Sequence, residues 1–472
     1  MSPDHPNVVF VFADQWRAQA TGYSGNSVVE TPNLDALSER SVNFTNAVAG
    51  CPVCSPYRAS LMTGQYPHTH GVFINDVHLS DDAESLGKQY ARAGYDTGYI
   101  GKWHLDGRGR KNYIPPESRQ GFEFWKVLEC THDYNNSEYY ADDDPTLREW
   151  DGYDAIEQTK EAQNYIRDHA DADNPFLLFL SWGPPHTPYH TAPGRFRDRY
   201  DAVEMPVRPN VPENRAEDAR EMIAGYYAHC TALDECVGRL MNTLEECGIT
   251  GDTIFVFTAD HGDMLCSHDA EKKQRPFEES IRVPFLLHYP GLGSGEVGFQ
   301  IDAQDIMPTL LNLSGLEVPA TVQGRDLSPL TRGESVEEDD AVVLSCYVPF
   351  GQWTRDVGGR ECRGIRTDRY TYVRSLDGPW LLFDNQEDPY QLRNLVDSEN
   401  HGDLREKLDK KLHNLLDRTD DEFLPADEYL SRWGYRVNQS RTTPTVAFPD
   451  QVDDSRYRPV EYWQRKEQDC SD

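Results

Sequence analysis

The sequence predicts an α/β fold, a large and mainly parallel sheet sandwiched by helices, followed by a smaller antiparallel sheet. Three observations carry this. NVVFVFA (7–13), PFLLFLSWG (175–183) and TIFVFTAD (253–260) are unbroken apolar runs, the pattern of strands buried on both faces. Segments with helical spacing stand between them, as right-handed crossovers require. From about residue 340 the runs become short and strand-like, the mark of an antiparallel appendage.

The remaining elements follow in order. TPNLDALSERSVNF (31–44) reads as a Thr-capped helix with Pro at its first position, leading into a strand. Residues 56–64 form a short helix ending at Gly64, and ESLGKQYARAGYDTGYIGKWHL (84–105) is a helix, a turn and a strand. Cys130 to Asp154 is acidic, Tyr-rich and without periodicity, so a long loop is expected. A helix around 156–170 precedes the second apolar run, and 216–247 is a long amphipathic helix before the third. VPFLLHYPG (283–291) is a strand, and DIMPTLLNLSG (305–315) is a helix closed by Gly. VVLSCYVPF, RGIRTDRYTYVRS and PWLLFDN are strands of the smaller sheet, and KLDKKLHNLLDRT (407–419) is its closing helix. The last fifty residues read as an extended arm suited to clasp a second copy in a homo-oligomer. The expected divisions are a catalytic domain over 1–340, an α+β subdomain over 341–425 and the arm over 426–472.

With 472 residues the chain exceeds one core of ordinary size. Its 38% hydrophobic and 11% aromatic content excludes global disorder. The 80 acidic and 46 basic residues leave a net charge of −34, which argues against nucleic acid and membrane partners. Any site that cleaves an anion must therefore build its own positive field. The acidic, Lys-poor composition fits a salt-adapted source and compositional drift equally. The N-terminal stretch lacks the charged and apolar regions of a signal peptide, and no apolar run reaches membrane-spanning length, so a cytoplasmic location is expected. The ten cysteines are scattered, which fits reduced thiols rather than a disulfide framework.

In open α/β sheets ligands sit beyond the carboxyl ends of the strands. Asp14 and Gln15 follow the first apolar run, and Asp260 and His261 follow TIFVFTAD. Converging, they would hold one divalent metal: oxygen donors favour Ca2+ or Mg2+, and His261 leaves Mn2+ open. Either Asp alone reads equally well as a loop or helix cap. In CPVCSPYRASLMTG (51–64), Pro56 suits a first helical turn, whose free N–H groups attract anions, and Arg58 adds a forked cation. Cys51 and Cys54 also have the spacing of a redox pair or half a zinc site, but no second cysteine pair with ligand spacing accompanies them.

Cys54-Ser55-Pro56-Tyr57-Arg58 resembles the Cys-x-Pro-x-Arg signature of the type I sulfatases of the alkaline phosphatase superfamily. VVFVFADQWR, GYIGKWHL (98–105), GPPHTPY (183–189), FTADHGDML (257–265) and KKQRPFEESIRVP (272–284) resemble further motifs in that family's order, and the likeness runs to about residue 396. Gln15 and His261 depart from it, since many members carry Asp and Asn there. The resemblance implies an alkaline phosphatase-like fold and hydrolysis of sulfate monoesters. It implies that Cys54 is oxidised to formylglycine by a formylglycine-generating enzyme. It further implies one divalent metal, Ca2+ foremost, on Asp14, Gln15, residue 54, Asp260 and His261. Cys54, Arg58, Lys102, His104, His186 and Lys273 take the catalytic positions. Lys102, Lys273, Arg58 and the metal would neutralise the sulfate oxygens. His186, with Lys273, would protonate the leaving oxygen, and His104 would act as base or orienter. Asn75, Lys102, His186 and Lys273 are the expected substrate-binding residues, and His132, Tyr134 and Trp182 are further candidates for substrate contact. A sulfated sugar is the preferred substrate, because Tyr- and Trp-rich loops can stack on sugar rings. The alternatives are a phosphonate or phosphate ester hydrolase on the same fold and a silent binding protein. Lys102 and His104 favour sulfate over the first, and the intact Cys54, Arg58 and metal set speak against the second.

Overall fold

The structure, a computed structural model, describes residues 5–443 and 455–469. Ten strands form the large sheet: β1 (Asn7–Asp14), β2 (Val42–Phe44), β3 (Asp96–Lys102), β4 (Phe124–Leu128), β5 (Glu138–Ala141), β6 (Asp144–Glu149), β7 (Phe176–Pro185), β8 (Thr253–Ala259), β9 (Phe285–His288) and β10 (Gly295–Val297). Their order is β10-β2-β9-β8-β1-β7-β3-β4-β5-β6. The central five, β8-β1-β7-β3-β4, are parallel, while β9, β5 and β6 run antiparallel to their neighbours.

The apolar runs occupy the centre because only there are both faces covered. Val8 to Ala13 of β1 are wholly buried, and Phe10 stacks on Phe179 of β7 with ring centroids 4.6 Å apart. Burial of each such side chain contributes about 1.5–3 kcal/mol. Helices Asp154–His169 and Ala216–Glu246 pack against each other beside this centre. The second sheet, β11 (Ala341–Cys346), β12 (Cys362–Thr367), β13 (Tyr370–Ser375) and β14 (Gly378–Asp384), is antiparallel throughout, and helix Gly402–Arg418 covers one face. Its other face packs on Val48 and Ile281 of the large domain.

Two expectations are corrected. The stretch 130–154 is not a long loop: it carries β5 and β6, a hairpin on the sheet edge. Residues of β6 are largely exposed, so its alternation is masked by charge on both faces. The segment from 426 is not an extended arm where it is described. Helices Ala426–Arg432 and Val460–Asp469 dock through Tyr429, Leu430, Val460 and Trp463 onto the main core. Residues 444–454 and 470–472 of that segment lie outside the described residues. Among the described residues no helix is long and apolar enough to cross a membrane.

Candidate active site

Four parallel strands deliver the site. β1 ends at Asp14, β8 runs into Asp260 and His261, β3 ends at Lys102, and β7 leads through Pro185 to His186. Cys54 opens the helix Cys54–Thr63, every residue of which is buried. This helix begins two residues earlier than its Pro suggested, so Cys54 itself stands on the first turn.

The cysteine thiol lies at the convergence. Its Sγ is 2.7 Å from Lys273 Nζ, 3.3 Å from His261 Nε2, 3.7 Å from Asp14 Oδ1 and 3.8 Å from Lys102 Nζ. Burial and the Asp14 carboxylate oppose its ionisation, yet Lys102, Lys273 and His261 hold the thiol well below the ordinary cysteine range. Such a position serves chemistry rather than packing.

Arg58 does not face the centre as a free cation. Its guanidinium is spent on Asp260 Oδ2 (3.1 Å), Asp14 Oδ2 (3.5 Å), Ser181 Oγ (2.7 Å) and the Lys102 carbonyl (2.9 Å), and it is 1% exposed. Its expected contact with sulfate oxygens is thus replaced by a role in holding the carboxylates. Lys102 Nζ donates to Asp14 Oδ2 at 2.5 Å, and Lys273 Nζ also meets His261 Nε2 at 3.0 Å.

Asp14, Cys54, Asp260 and His261 offer ligand atoms all within 4.8 Å of one another. The two carboxylates suit a hard divalent cation, whereas the Cys54 sulfur and the His261 imidazole are softer donors. Burial and the neighbouring Asp14 push the Asp260 carboxyl up, as expected of like charges packed together. His261 donates Nδ1–H to the Gly262 carbonyl (3.0 Å), which leaves Nε2 as the inward-facing acceptor. Gln15 donates its amide to Asp263 Oδ2 (2.7 Å), while its Oε1 is buried and unpartnered among the described residues. That orphaned oxygen is the sort of group a cation would satisfy.

His104 lies at φ +61°, its Nε2 on Asp76 Oδ1 (3.1 Å) and its buried Nδ1 without a partner among the described residues. Burial opposes protonation of His104, but the Cys130 thiol and the Asp76 carboxylate raise its pKa to about 9. His186 donates Nδ1–H to the Thr187 carbonyl (2.8 Å) and stacks on His132, with centroids 4.5 Å apart. Burial and the Lys273 charge hold it well below the ordinary range, hence neutral. Asn75 accepts the Ser55 N–H on Oδ1 (3.0 Å), so it anchors the first turn of the Cys54 helix. Tyr134 and Trp182 are both 0% exposed, whereas His132 is exposed.

Several residues of the site lacked a sequence cue. Asp76 and Arg110 extend the His104 contact outward, Asp263 and Tyr189 hold Gln15, and Ser181 holds Arg58. Asp263 stands two residues after His261 in FTADHGDML and was within reach of inspection, but the others depend on register across distant strands.

The sequence model of the Sulfatase family matches residues 6–316, and that of the N-sulphoglucosamine sulphohydrolase C-terminal region matches 268–418. An ulvan-active sulfatase of Formosa agariphila is 42% identical over 93% of this chain and 86% of its own length. An endo-4-O-sulfatase of Bacteroides thetaiotaomicron is 31% identical over 89% of this chain and 93% of its own. The crystal structure of the sulfatase YidJ from Bacteroides fragilis superposes with a TM-score of 0.81 at 32% identity, covering 90% of this chain and 98% of that one. With the fold, the strand-end cluster and these matches in agreement, the chain belongs to the sulfatase family and is a sulfuric ester hydrolase.

Proposed function

We propose that this sulfatase hydrolyses a sulfated carbohydrate through a formylglycine made from Cys54, with a divalent cation held by Asp14, Gln15, Asp260 and His261. The observation that supports this most is the placement of Cys54 Sγ between two lysines, a histidine and a carboxylate, all within 3.8 Å. The carbohydrate preference rests on relatives named for ulvan and for endo-4-O-sulfate cleavage.

The hydrate of formylglycine would supply one hydroxyl to attack sulfur and a second whose deprotonation later frees sulfate. A hard cation bound here would lower the pKa of that nucleophile and neutralise charge on the ester. The chain's own residues do the rest. Arg58 pairs with both Asp14 and Asp260 and holds the two carboxylates in place at the cation site. Lys102 and Lys273 stand on either side of residue 54 and take sulfate oxygens, where preorganised cations act strongly because water is excluded. His186, whose Nε2 has no hydrogen-bond partner among the described residues, positions the leaving oxygen and relays its proton with Lys273. His104, fixed by Asp76 and cationic at neutral pH, orients the second hydroxyl rather than taking its proton. The Asn75 amide nitrogen, without a hydrogen bond among the described residues, is placed to meet substrate.

The test compares rates on an aryl sulfate, an aryl phosphonate monoester and a panel of sulfated oligosaccharides, using protein whose Cys54 conversion has been verified by intact mass. The sulfate substrates should be turned over far faster. A phosphonate rate well above the sulfate rate would overturn the reading, as would silence on every sulfate ester.

A further inference from the structure

Outside the buried reaction cluster, one cation is left half used. Arg110 grips Asp76 in a two-point contact, Nε to Oδ1 at 2.8 Å and NH2 to Oδ2 at 2.7 Å. Asp76 Oδ1 also meets His104 Nε2 at 3.1 Å, so both carboxylate oxygens are committed. The Nε edge of the guanidinium is therefore taken, while NH1 makes no hydrogen bond among the described residues. A guanidinium has five N–H donors in a rigid fork, and the NH1/NH2 edge matches a second oxyanion. The Arg110 side chain is 37% exposed, against 2% for His104 and 9% for Asp76. The chain of contacts from His104 outward thus meets solvent at Arg110.

The platform beneath it is firm. Glu129, itself buried, accepts the N–H groups of Leu105 (3.2 Å), Asp106 (2.9 Å) and Gly107 (3.0 Å), and Cys130 N–H donates to the Arg110 carbonyl at 3.1 Å. Of the acids nearby, Glu138 is paired with Lys111. In a chain of net charge −34, an uncommitted guanidinium edge beside a buried cationic cluster is a directional anion receptor.

We infer that Arg110 binds a second anionic group of the sugar, a carboxylate or a second sulfate, next to the ester that is cleaved. The substrate is then a polyanionic carbohydrate rather than a neutral sugar bearing one sulfate. This rests on the sulfated-carbohydrate reading above and deepens it. Because the same guanidinium holds Asp76, Arg110 also positions His104, so the test must separate recognition from positioning.

Three probes do so: a hexoside monosulfate, the same monosulfate joined to a hexuronic acid, and a hexoside disulfate. With Arg110→Ala, kcat/KM on at least one of the dianionic probes should fall about tenfold more than on the monosulfate, mainly through KM, as loss of a charge-assisted fork predicts. Arg110→Lys should restore part of the difference. The probe that responds tells carboxylate from sulfate. If all three fall by the same factor, or only kcat and its pH profile move, Arg110 merely positions His104 and the inference fails. Wild-type turnover of the monosulfate reports on the sulfatase reading separately. Should that turnover be nil, calorimetric affinities of the three probes for Cys54→Ser protein, with and without Arg110→Ala, give the same comparison.

Discussion

Cys54 and Arg58 stand four residues apart on one helix and do opposite work. On the proposed function Cys54 is the reacting position, and its side chain should contribute little to the fold. Cys54→Ala is expected to abolish sulfate ester hydrolysis while costing less than about 2 kcal/mol in urea unfolding. Activity above a few per cent would refute the assignment. Arg58 satisfies two buried carboxylates, the Ser181 hydroxyl and a strand-end carbonyl. Arg58→Ala leaves those charges unpaired in the interior, and a loss of about 3–5 kcal/mol is expected along with activity. Native stability in that variant would contradict the bonding described here. At this scale strand-end position made Asp14, Gln15, Asp260 and His261 legible, while Lys102, His186 and Lys273 were legible only through the family motifs that carry them. The sequence could not show that Arg58 turns inward to the carboxylates, nor that Asp76 reaches His104 from 28 positions away. Side-chain direction depends on neighbours that only the fold supplies.

Elements were legible where burial dictates composition. β1, β7, β8 and the helix Ala216–Glu246 sit where apolar pattern and structure must agree. The β5–β6 hairpin was hidden because an edge strand need not alternate, and the C-terminal helices because their short docking faces are diluted by charge. One strand contact is tight enough to test. Gly101, at φ +104°, lies just before Lys102, and a Cβ there would come within 2.0 Å of the Ser181 carbonyl on β7. Gly101→Ala should force β3 from β7, cost about 2–4 kcal/mol and displace Lys102. A variant with unchanged melting and turnover would sink this. The first residue of helix Asp154–His169 offers a pH test. Burial pushes the Asp154 carboxyl from 3.8 up to about 8, despite hydrogen bonds from Ser137 and Ala155. The folded state then holds a proton that the unfolded chain gives up. Between those two values the folded state binds more protons, so stability falls as pH rises through that window. Urea midpoints across it should show this slope, and Asp154→Asn should flatten it. An unaltered slope in the variant would assign the effect elsewhere.

The whole molecule joins two sheets so that one braces the other's chemistry. Loop residues after β11 hold the lysine segment of the site: Gln274 Nε2 donates to the Phe350 carbonyl at 3.0 Å, and Arg275 NH2 to the Gln352 carbonyl at 3.2 Å. The smaller sheet is therefore part of the active site's frame as well as an appendage. Over this frame lies a charge of −34, whose self-repulsion opposes compaction. Raising KCl from about 0.1 M to about 1 M shortens the screening length from roughly 10 Å to 3 Å and should raise the unfolding midpoint. No gain with salt would show that the acidic surface carries no such strain.

The central claim is that the residue held at position 54 by Lys102, Lys273, His261 and Asp14 performs the chemistry once it is converted. The most direct measurement is sulfate release from one ester across preparations that differ only in the converted fraction of Cys54, read by intact mass. The account predicts a rate proportional to that fraction and passing through zero. Equal rates in converted and unconverted protein would contradict it.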